Sequence, residues 1–192
     1  MPRITALRPG RGERVRVELD GAAWRTLPTG AIVAAGLSVG SELDRVRARE
    51  LARALRRSRA LTAASAALSR RDRSSAGLEA YLGARGIASA DRVQAVETLE
   101  RLGYVDDARF AAERAAQLAR RGFGDEGIRC RLEQEGLGSE QVDAALAALA
   151  PEAERAHDLV AGGDLTPKLA RRLAAKGFSA ETIEAALGAA WL

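Results

Sequence analysis

The sequence predicts a mostly α-helical protein of tandem three-helix repeats, elongated and curved, with a small N-terminal β-hairpin region. Three observations carry that expectation. The chain is 47% hydrophobic but only 4% aromatic; Ala and Leu dominate the apolar content, and they favour close-packed helices over β-branched strands. One helix-turn-helix unit echoes three times along the chain. Alternating, strand-like patterning is confined to residues 3–27.

In that front segment, Arg14-Val15-Arg16-Val17-Glu18-Leu19 alternates charge with apolar side chains. Asp20-Gly21 follows, a pair suited to a two-residue hairpin turn because both positions tolerate positive φ. Ala22 to Leu27, with Trp24 on one face, is the expected return strand, and Ile4 to Leu7 the expected third. So small a ribbon is only marginally stable alone, so it should pack on the helices behind it.

Pro28 to Ala35 reads as a short helix closed by Gly36. Ser41 is the expected cap of a longer one, with Asp44 at the capping-box position. There Arg45, Arg49, Arg53 and Arg56 fall within about 80° of one another at 100° per residue. Leu43, Val46, Leu51 and Leu55 fall largely on the other side.

The three echoes are Tyr81-Leu-Gly-Ala-Arg-Gly86-Ile87, Arg131-Leu-Glu-Gln-Glu-Gly136-Leu137 and Arg172-Leu-Ala-Ala-Lys-Gly177-Phe178, at spacings of 50 and then 41 residues. Each ends a helix with Gly, which reaches the left-handed position after a helix at no steric cost. A hydrophobic residue follows to fold back on the last turn, and Ser89, Ser139 and Ser179 are the expected caps of the next helices. Val93, Val96, Leu99 and Leu102 form one apolar stripe; Val142, Leu146 and Leu149 a second; Ile183 and Leu187 a third. Gly103 ends the first of these helices, and Asp106 caps another carrying Phe110, Ala111, Ala115 and Leu118. Pro151 starts its counterpart, and Thr166-Pro167 reads as cap plus first-turn proline. The resulting segments are 1–40 (ribbon and short helix), 41–73 (basic linking helices), 74–122 and 123–162 (full repeats) and 163–192 (a partial third). Each repeat is too thin to bury its own stripe, so neighbours must stack.

Net charge is +4, but it is unevenly held. Residues 1–73 carry 16 Arg against 7 acidic residues, and the remainder is net acidic. A basic front half suggests an anionic partner, nucleic acid or an acidic protein groove. The single Cys130 excludes an internal disulfide, no apolar run approaches a bilayer span, and the first residues lack a signal-peptide plan, so the expected compartment is the cytosol.

Enzyme chemistry finds little footing. Gly122-Phe-Gly124-Asp-Glu-Gly127 matches the dinucleotide fingerprint literally, but that fingerprint requires a buried strand in front of it. The preceding segment, 111–121, is patterned as a polar-faced helix. His157 and Cys130 stand alone without a second metal ligand at useful spacing. Asp106-Asp107 reads as a cap followed by a first-turn anion rather than a metal pair. The expectation is a non-enzyme with no cofactor and no metal.

Leu68-Ser-Arg-Arg-Asp-Arg-Ser74, then Leu78, Leu82 and Arg85-Gly86, resembles the RecX signature. So does Leu102-Gly-Tyr-Val-Asp-Asp-Ala-Arg-Phe-Ala111, and Arg120-Arg-Gly-Phe-Gly124, Ile128, Leu132, Gly136 and Lys176-Gly-Phe-Ser179 follow in the family's order. The resemblance covers residues 60–190. It departs from the family at the short helix of about Glu152 to Val160, which ends at Gly162-Gly163. It implies a modular protein of three-helix repeats that binds the RecA recombinase filament and tempers filament growth, ATP hydrolysis, strand exchange and the SOS response in DNA repair; a cytoplasmic monomer is expected.

For the contacts, Arg45, Arg49, Arg53 and Arg56 form one basic stripe. Arg70, Arg71 and Arg73 form a dense basic turn, which either binds anions or is ion-paired with Asp72 and Glu79. Arg120, Arg121, Arg129 and Arg131 are a further candidate set. Gly103, Tyr104, Asp106, Asp107 and Phe110 are expected to set a turn and helix packing. The rival reading is a direct binder of single- or double-stranded DNA acting through the basic half. The few aromatics fall at apolar helical positions, so no base-stacking platform is expected.

Overall fold

Asp20 and Gly21 both take positive φ, 49° and 81°, and the turn they make joins β2 (Arg14–Leu19) to β3 (Ala22–Pro28). With β1 (Ile4–Pro9) these strands form an antiparallel sheet in the order β1-β2-β3. The hairpin, its turn and the third strand therefore stand where the alternation puts them. The computed structural model describes residues 1–161 and 166–188, so Gly162-Gly163 lie outside the described residues. Among those described there are ten helices beside the one small sheet.

The chain falls into two compact units, Met1–Arg70 with Tyr81–Thr98, and Arg71–Ala80 with Leu99–Leu192. In the first, one sheet face is apolar: Ile4, Val17 and Leu27 pack with Ile32 of α1 (Thr29–Ala34) and Leu51 of α2 (Arg45–Leu68). The other face is open. In the β2–β3 ladder Val17 faces Arg25 and Glu18 faces Ala23, which leaves Trp24 as the extra residue of a β-bulge. Trp24 is 37% exposed on the strand expected for it, so the reading that the aromatics fall at apolar helical positions does not hold for this one. Counted from the buried Leu27, plain alternation already puts Trp24 on the open face, and the bulge shifts the register of Ala22 and Ala23 beyond it.

α2 begins later than expected. The Ser41 hydroxyl accepts the Ser38 N–H at 3.1 Å within the preceding turn. Asp44 is the cap instead, its carboxylate accepting the Arg47 N–H at 2.8 Å. The buried face of α2 starts at Leu51, so Val46 is 61% exposed rather than inward.

The repeats follow as α3 (Ser75–Gly83), α4 (Ser89–Arg101) and α5 (Asp107–Arg120); α6 (Asp125–Gln134), α7 (Ser139–Ala147) and α8 (Glu152–Val160); and α9 (Pro167–Ala175) with α10 (Ala180–Gly188). After each of the three echoed glycines the next N–H reaches back: Ile87 to the Leu82 carbonyl, Leu137 to Leu132 and Phe178 to Leu173. Those three apolar residues are buried, so each turn is closed by a bond and by packing. The serine caps hold in one case of three. Ser179 accepts the Thr182 N–H at 3.1 Å, whereas Ser89 and Ser139 are already the first helical residues. At α7 the Gln141 side chain takes the Gly138 N–H instead, at 2.7 Å. In α4 the inner face is Ala95, Val96 and Leu99; Val93 is 40% and Leu102 59% exposed, because Leu102 already belongs to the turn entering Gly103.

The packing unit is not the sequence repeat. One core joins Ala111, Ala115 and Leu118 of α5 to Ile128 and Leu132 of α6 and Val142 and Ala145 of α7. The next joins Ala156 and Val160 of α8 to Leu169 and Leu173 of α9, with Phe178 and the half-buried Ile183. Each core thus takes the third helix of one repeat and the first two of the following one.

The helix ends are tied accordingly. Asp107, first residue of α5, accepts the Ser75 N–H at 2.7 Å and the Ser75 hydroxyl at 2.6 Å. Glu152, first residue of α8, accepts the Asp125 N–H at 2.7 Å and, through its other oxygen, the Ser179 and Thr182 hydroxyls. Burial pushes the Glu152 carboxyl up, but the bonds from Asp125, Thr182 and Ser179 together outweigh it and hold the group below the ordinary glutamate range.

The N-cap residue of α6, Gly124, has no side chain to cap with, and beyond the Glu152 carboxylate the helix relies on backbone partners. Its N–H groups go to the end of α9: Gly124 to the Lys176 carbonyl at 3.0 Å, and Glu126 to the Gly177 carbonyl at 3.1 Å. Gly124, Gly127 and Gly177 allow that approach, since a Cβ at Gly127 would overlap the Lys176 carbonyl. The fingerprint-like glycines are therefore a helix-to-helix joint, and a helix, not a strand, precedes them.

These joints can be tested by substitution. Ala is the better helix former by about 1 kcal/mol, yet Gly127→Ala should destabilise the protein by about 3 kcal/mol, because backbone must move. Gly30→Ala in α1, where the space is open, should be neutral or stabilising; urea unfolding of both variants measures the contrast. Glu152→Gln should cost about 1 kcal/mol at neutral pH, since an amide accepts at only one of the two positions. A carboxyl held low in the folded state stabilises above the ordinary glutamate range and ceases to as pH falls through its folded value. The gap between Glu152→Gln and the parent should therefore close on acidification; a constant gap would refute the assignment.

Candidate partner-binding site

Ser74 sits 1% exposed just before α3. Its hydroxyl oxygen accepts the Gly77 N–H at 3.0 Å and its O–H is donated to the Glu135 carbonyl at the end of α6. Gly136 belongs to the same contact, because a Cβ there would strike the Ala76 methyl. This fixes the turn 71–73 against α6 and opens a cleft of about 1030 Å³, walled by α3, α5 and the α6 end.

Arg71, Arg73 and Arg120, all candidates from the sequence, line this cleft together with Arg114, which sequence reasoning missed. Asp72, Glu113 and Glu135 line it too. Arg114 is answered by Glu135, with Nη2 2.7 Å from the carboxylate, and also donates to Gln117. Arg71 and Arg120 are exposed and, among the described residues, form no ion pair within 4.0 Å. The floor is apolar, supplied by Phe110, Ala76 and Ala80. Mixed charge over an apolar floor suits a protein surface offering carboxylates and side chains; a nucleic-acid groove is more uniformly positive.

The other candidates divide. Arg45, Arg49 and Arg53 are exposed on α2, and Arg45 and Arg47 occupy its first turn. Cations there oppose the helix dipole by about 0.3–1 kcal/mol each. Arg56 lies 3.4 Å from the largely buried Asp91 carboxylate, so part of its charge is used within the fold. Arg70 is exposed. Arg129 bonds Asp143 at 2.7 Å; that bond, against the cost of burial, raises its already high pKa. Arg131 donates to the Gly127 carbonyl at 2.8 Å and stacks 3.9 Å from the Phe123 ring centre. Arg121 stands 5.8 Å from the same ring. Arg129 and Arg131 thus serve the fold.

Of the motif residues, Gly103 makes the turn between α4 and α5, and Asp106 caps α5 by accepting the Arg109 N–H at 2.9 Å. Asp107 does more than favour the helix dipole, since it caps α3. Phe110 packs on the α5–α7 core as expected. Tyr104 does not: it is 66% exposed and packs between no helices. Its N–H closes the turn to the Leu99 carbonyl at 2.9 Å, which leaves its side chain outward. Comparing the two third helices would have revealed Glu152 beside Asp107, since both open their helix with a carboxylate.

Among the described residues no cluster of three or more His, Cys, Asp or Glu could hold a metal, and no helix is long and apolar enough to cross a membrane. No protein-family model matches the chain. It is 39% identical over 129 residues to "Regulatory protein RecX" of Xanthomonas axonopodis pv. citri, covering 62% of this chain and 80% of that protein. The protein of the same name from Stenotrophomonas maltophilia is 36% identical over 129 residues, covering 62% and 79%. A crystal structure of regulatory protein RecX superposes with a TM-score of 0.85 at 23% identity, over 97% of this chain and 98% of that one. RecX from Lactobacillus salivarius gives 0.61 at 19% identity, over 70% and 96%. These two likenesses are of fold.

The division between exposed and committed arginines is measurable. Arg71→Ala and Arg120→Ala should leave stability within about 0.5 kcal/mol of the parent. Arg155, whose side chain is 12% exposed, donates to the Phe123 carbonyl at 2.8 Å and pairs with Asp125. Arg155→Ala should cost about 2 kcal/mol or more by leaving both unanswered, as read by thermal unfolding.

Proposed function

Because the chain belongs to the RecX family, we propose that it binds the RecA recombinase filament and curbs filament growth, ATP hydrolysis and strand exchange in DNA repair and the SOS response. It does so in the cytoplasm, by occupying a surface and without chemistry of its own. The observation that carries this reading is the family relation, which implies a recombinase regulator. The mixed-charge cleft at Arg71, Arg73, Arg114 and Arg120 supports a protein partner, since its acidic residues would repel a phosphate backbone. A second reading, direct DNA binding, is favoured by the exposed Arg45, Arg49 and Arg53 and by the arginines placed against the α2 dipole. The two are compatible, because they use different residues.

The test is single-strand-dependent ATP hydrolysis by RecA from the same organism, with the protein titrated in at physiological salt. Suppression at amounts well below RecA is expected. Arg71→Glu/Arg120→Glu should raise the amount needed for half-suppression about tenfold, equivalent to about 1.4 kcal/mol. An unchanged titration would remove the cleft from the contact, and no suppression by the parent protein would sink the recombinase reading itself.

A further inference from the structure

The outward face of the N-terminal sheet lies outside the apolar core of its unit. Its inner face holds the core with α1 and α2, while the outer one presents arginines around an exposed indole. In the ladder Arg8 lies directly opposite Arg16, and Arg16 opposite Thr26, so two like charges are cross-strand neighbours. Such a pair is destabilising on its own. Glu18 relieves only part of it, through a single bond to Arg8 at 3.0 Å. Arg16 is exposed and, among the described residues, has no ion pair within 4.0 Å.

Beside these charges Trp24, 37% exposed, lies in a shallow groove with Arg8, Arg16, Glu18, Arg25 and Thr26. The Arg25 guanidinium lies 5.5 Å from the indole centre, near enough to steady the ring. An exposed indole costs solvation and a facing arginine pair costs repulsion, so the fold alone does not account for either. A ligand carrying both a flat aromatic surface and negative charge, repeated along an extended strand, would relieve both.

We propose that this sheet face is a binding site for single-stranded nucleic acid, with Trp24 stacking on a base and Arg8, Arg16 and Arg25 meeting phosphates. Single strands fit better than duplex, because a base must be unstacked to reach the indole. A few stacking and phosphate contacts give modest, sequence-tolerant and salt-sensitive affinity. The site does not depend on the recombinase reading and is measured without a recombinase.

The experiment is fluorescence anisotropy of a labelled oligothymidylate of about 20 nucleotides, titrated with the full chain over a range of salt. Trp24→Leu should weaken binding about tenfold and Trp24→Phe only about threefold, since a benzene ring still stacks. Arg8→Gln and Arg16→Gln should each flatten the log–log salt slope by about 0.7. Trp24 lies outside the core, so circular dichroism should show these variants folded. Undiminished affinity in Trp24→Leu, equal affinity for duplex, or binding lost only on charge reversal of Arg45, Arg49 and Arg53 would each overturn the proposal. So would Trp24-dependent binding of an acidic peptide without binding of the oligonucleotide.

Discussion

The first turn of α6 owns four backbone N–H groups and an N-cap residue, Gly124, with no side chain to cap them, and the way those groups are answered organises the second unit. Every helix begins with such orphan donors, and a buried one left unpaired costs as much as a lost hydrogen bond. Here Gly124, Glu126 and Gly127 donate to the Lys176 and Gly177 carbonyls, and Asp125 donates to Glu152. The positive end of one helix thus meets the negative end of another, and each satisfies the other's surplus. The joint demands close backbone contact, which is why three glycines meet there. It also demands that α8 and α9 already be in place, so α6 cannot start correctly without its neighbours.

The same logic explains why each core spans two sequence repeats. Asp107 ties α5 to α3 and Glu152 ties α8 to α6, holding the third helix of a repeat against the start of its first. The apolar stripes then point onward: α5 packs with α6 and α7, and α8 with α9 and α10. The Asp107 and Glu152 carboxylates tie each repeat upon itself, while hydrophobic burial, with the backbone joint at Lys176–Gly177 and the Ser74–Glu135 bond, joins it to the next. A repeat excised at its sequence boundaries would keep its carboxylate tie and lose its core, and burial stabilises more than the tie does.

Much of this was legible in advance. The hairpin, the glycine turns and the helix order follow from local rules of period, turn chemistry and capping, and those rules act over a few residues. What escaped was non-local. Ser41 has the composition of a cap, but its hydroxyl is engaged by Ser38, and Asp44 does the work. Ser89 and Ser139 fail as caps because the helix starts one residue early. Arg129 and Arg131 look like surface charge until Asp143, the Gly127 carbonyl and Phe123 are seen around them. Tyr104 sits in the most recognisable segment of the chain, where an aromatic suggests packing, yet it faces outward. The bulge beside Trp24 shifts the register of Ala22 and Ala23 against β2, and alternation alone has no means of signalling one.

Charge shows why exposed arginines should not be read as one class. The cleft at Arg71 and Arg120 interleaves acids with bases over an apolar floor, so its attraction for any partner is short-ranged and depends on shape. The stripe at Arg45, Arg49 and Arg53 and the sheet face at Arg8 and Arg16 carry a large excess of one sign, and their attraction reaches about a Debye length. Added salt should therefore separate them: it weakens contacts made through counterion release far more than contacts made by complementary packing. Under the proposed recombinase reading, long-range charge gathers the protein toward a nucleoprotein filament and a cleft that salt hardly touches holds it there, a division of labour that net charge alone conceals.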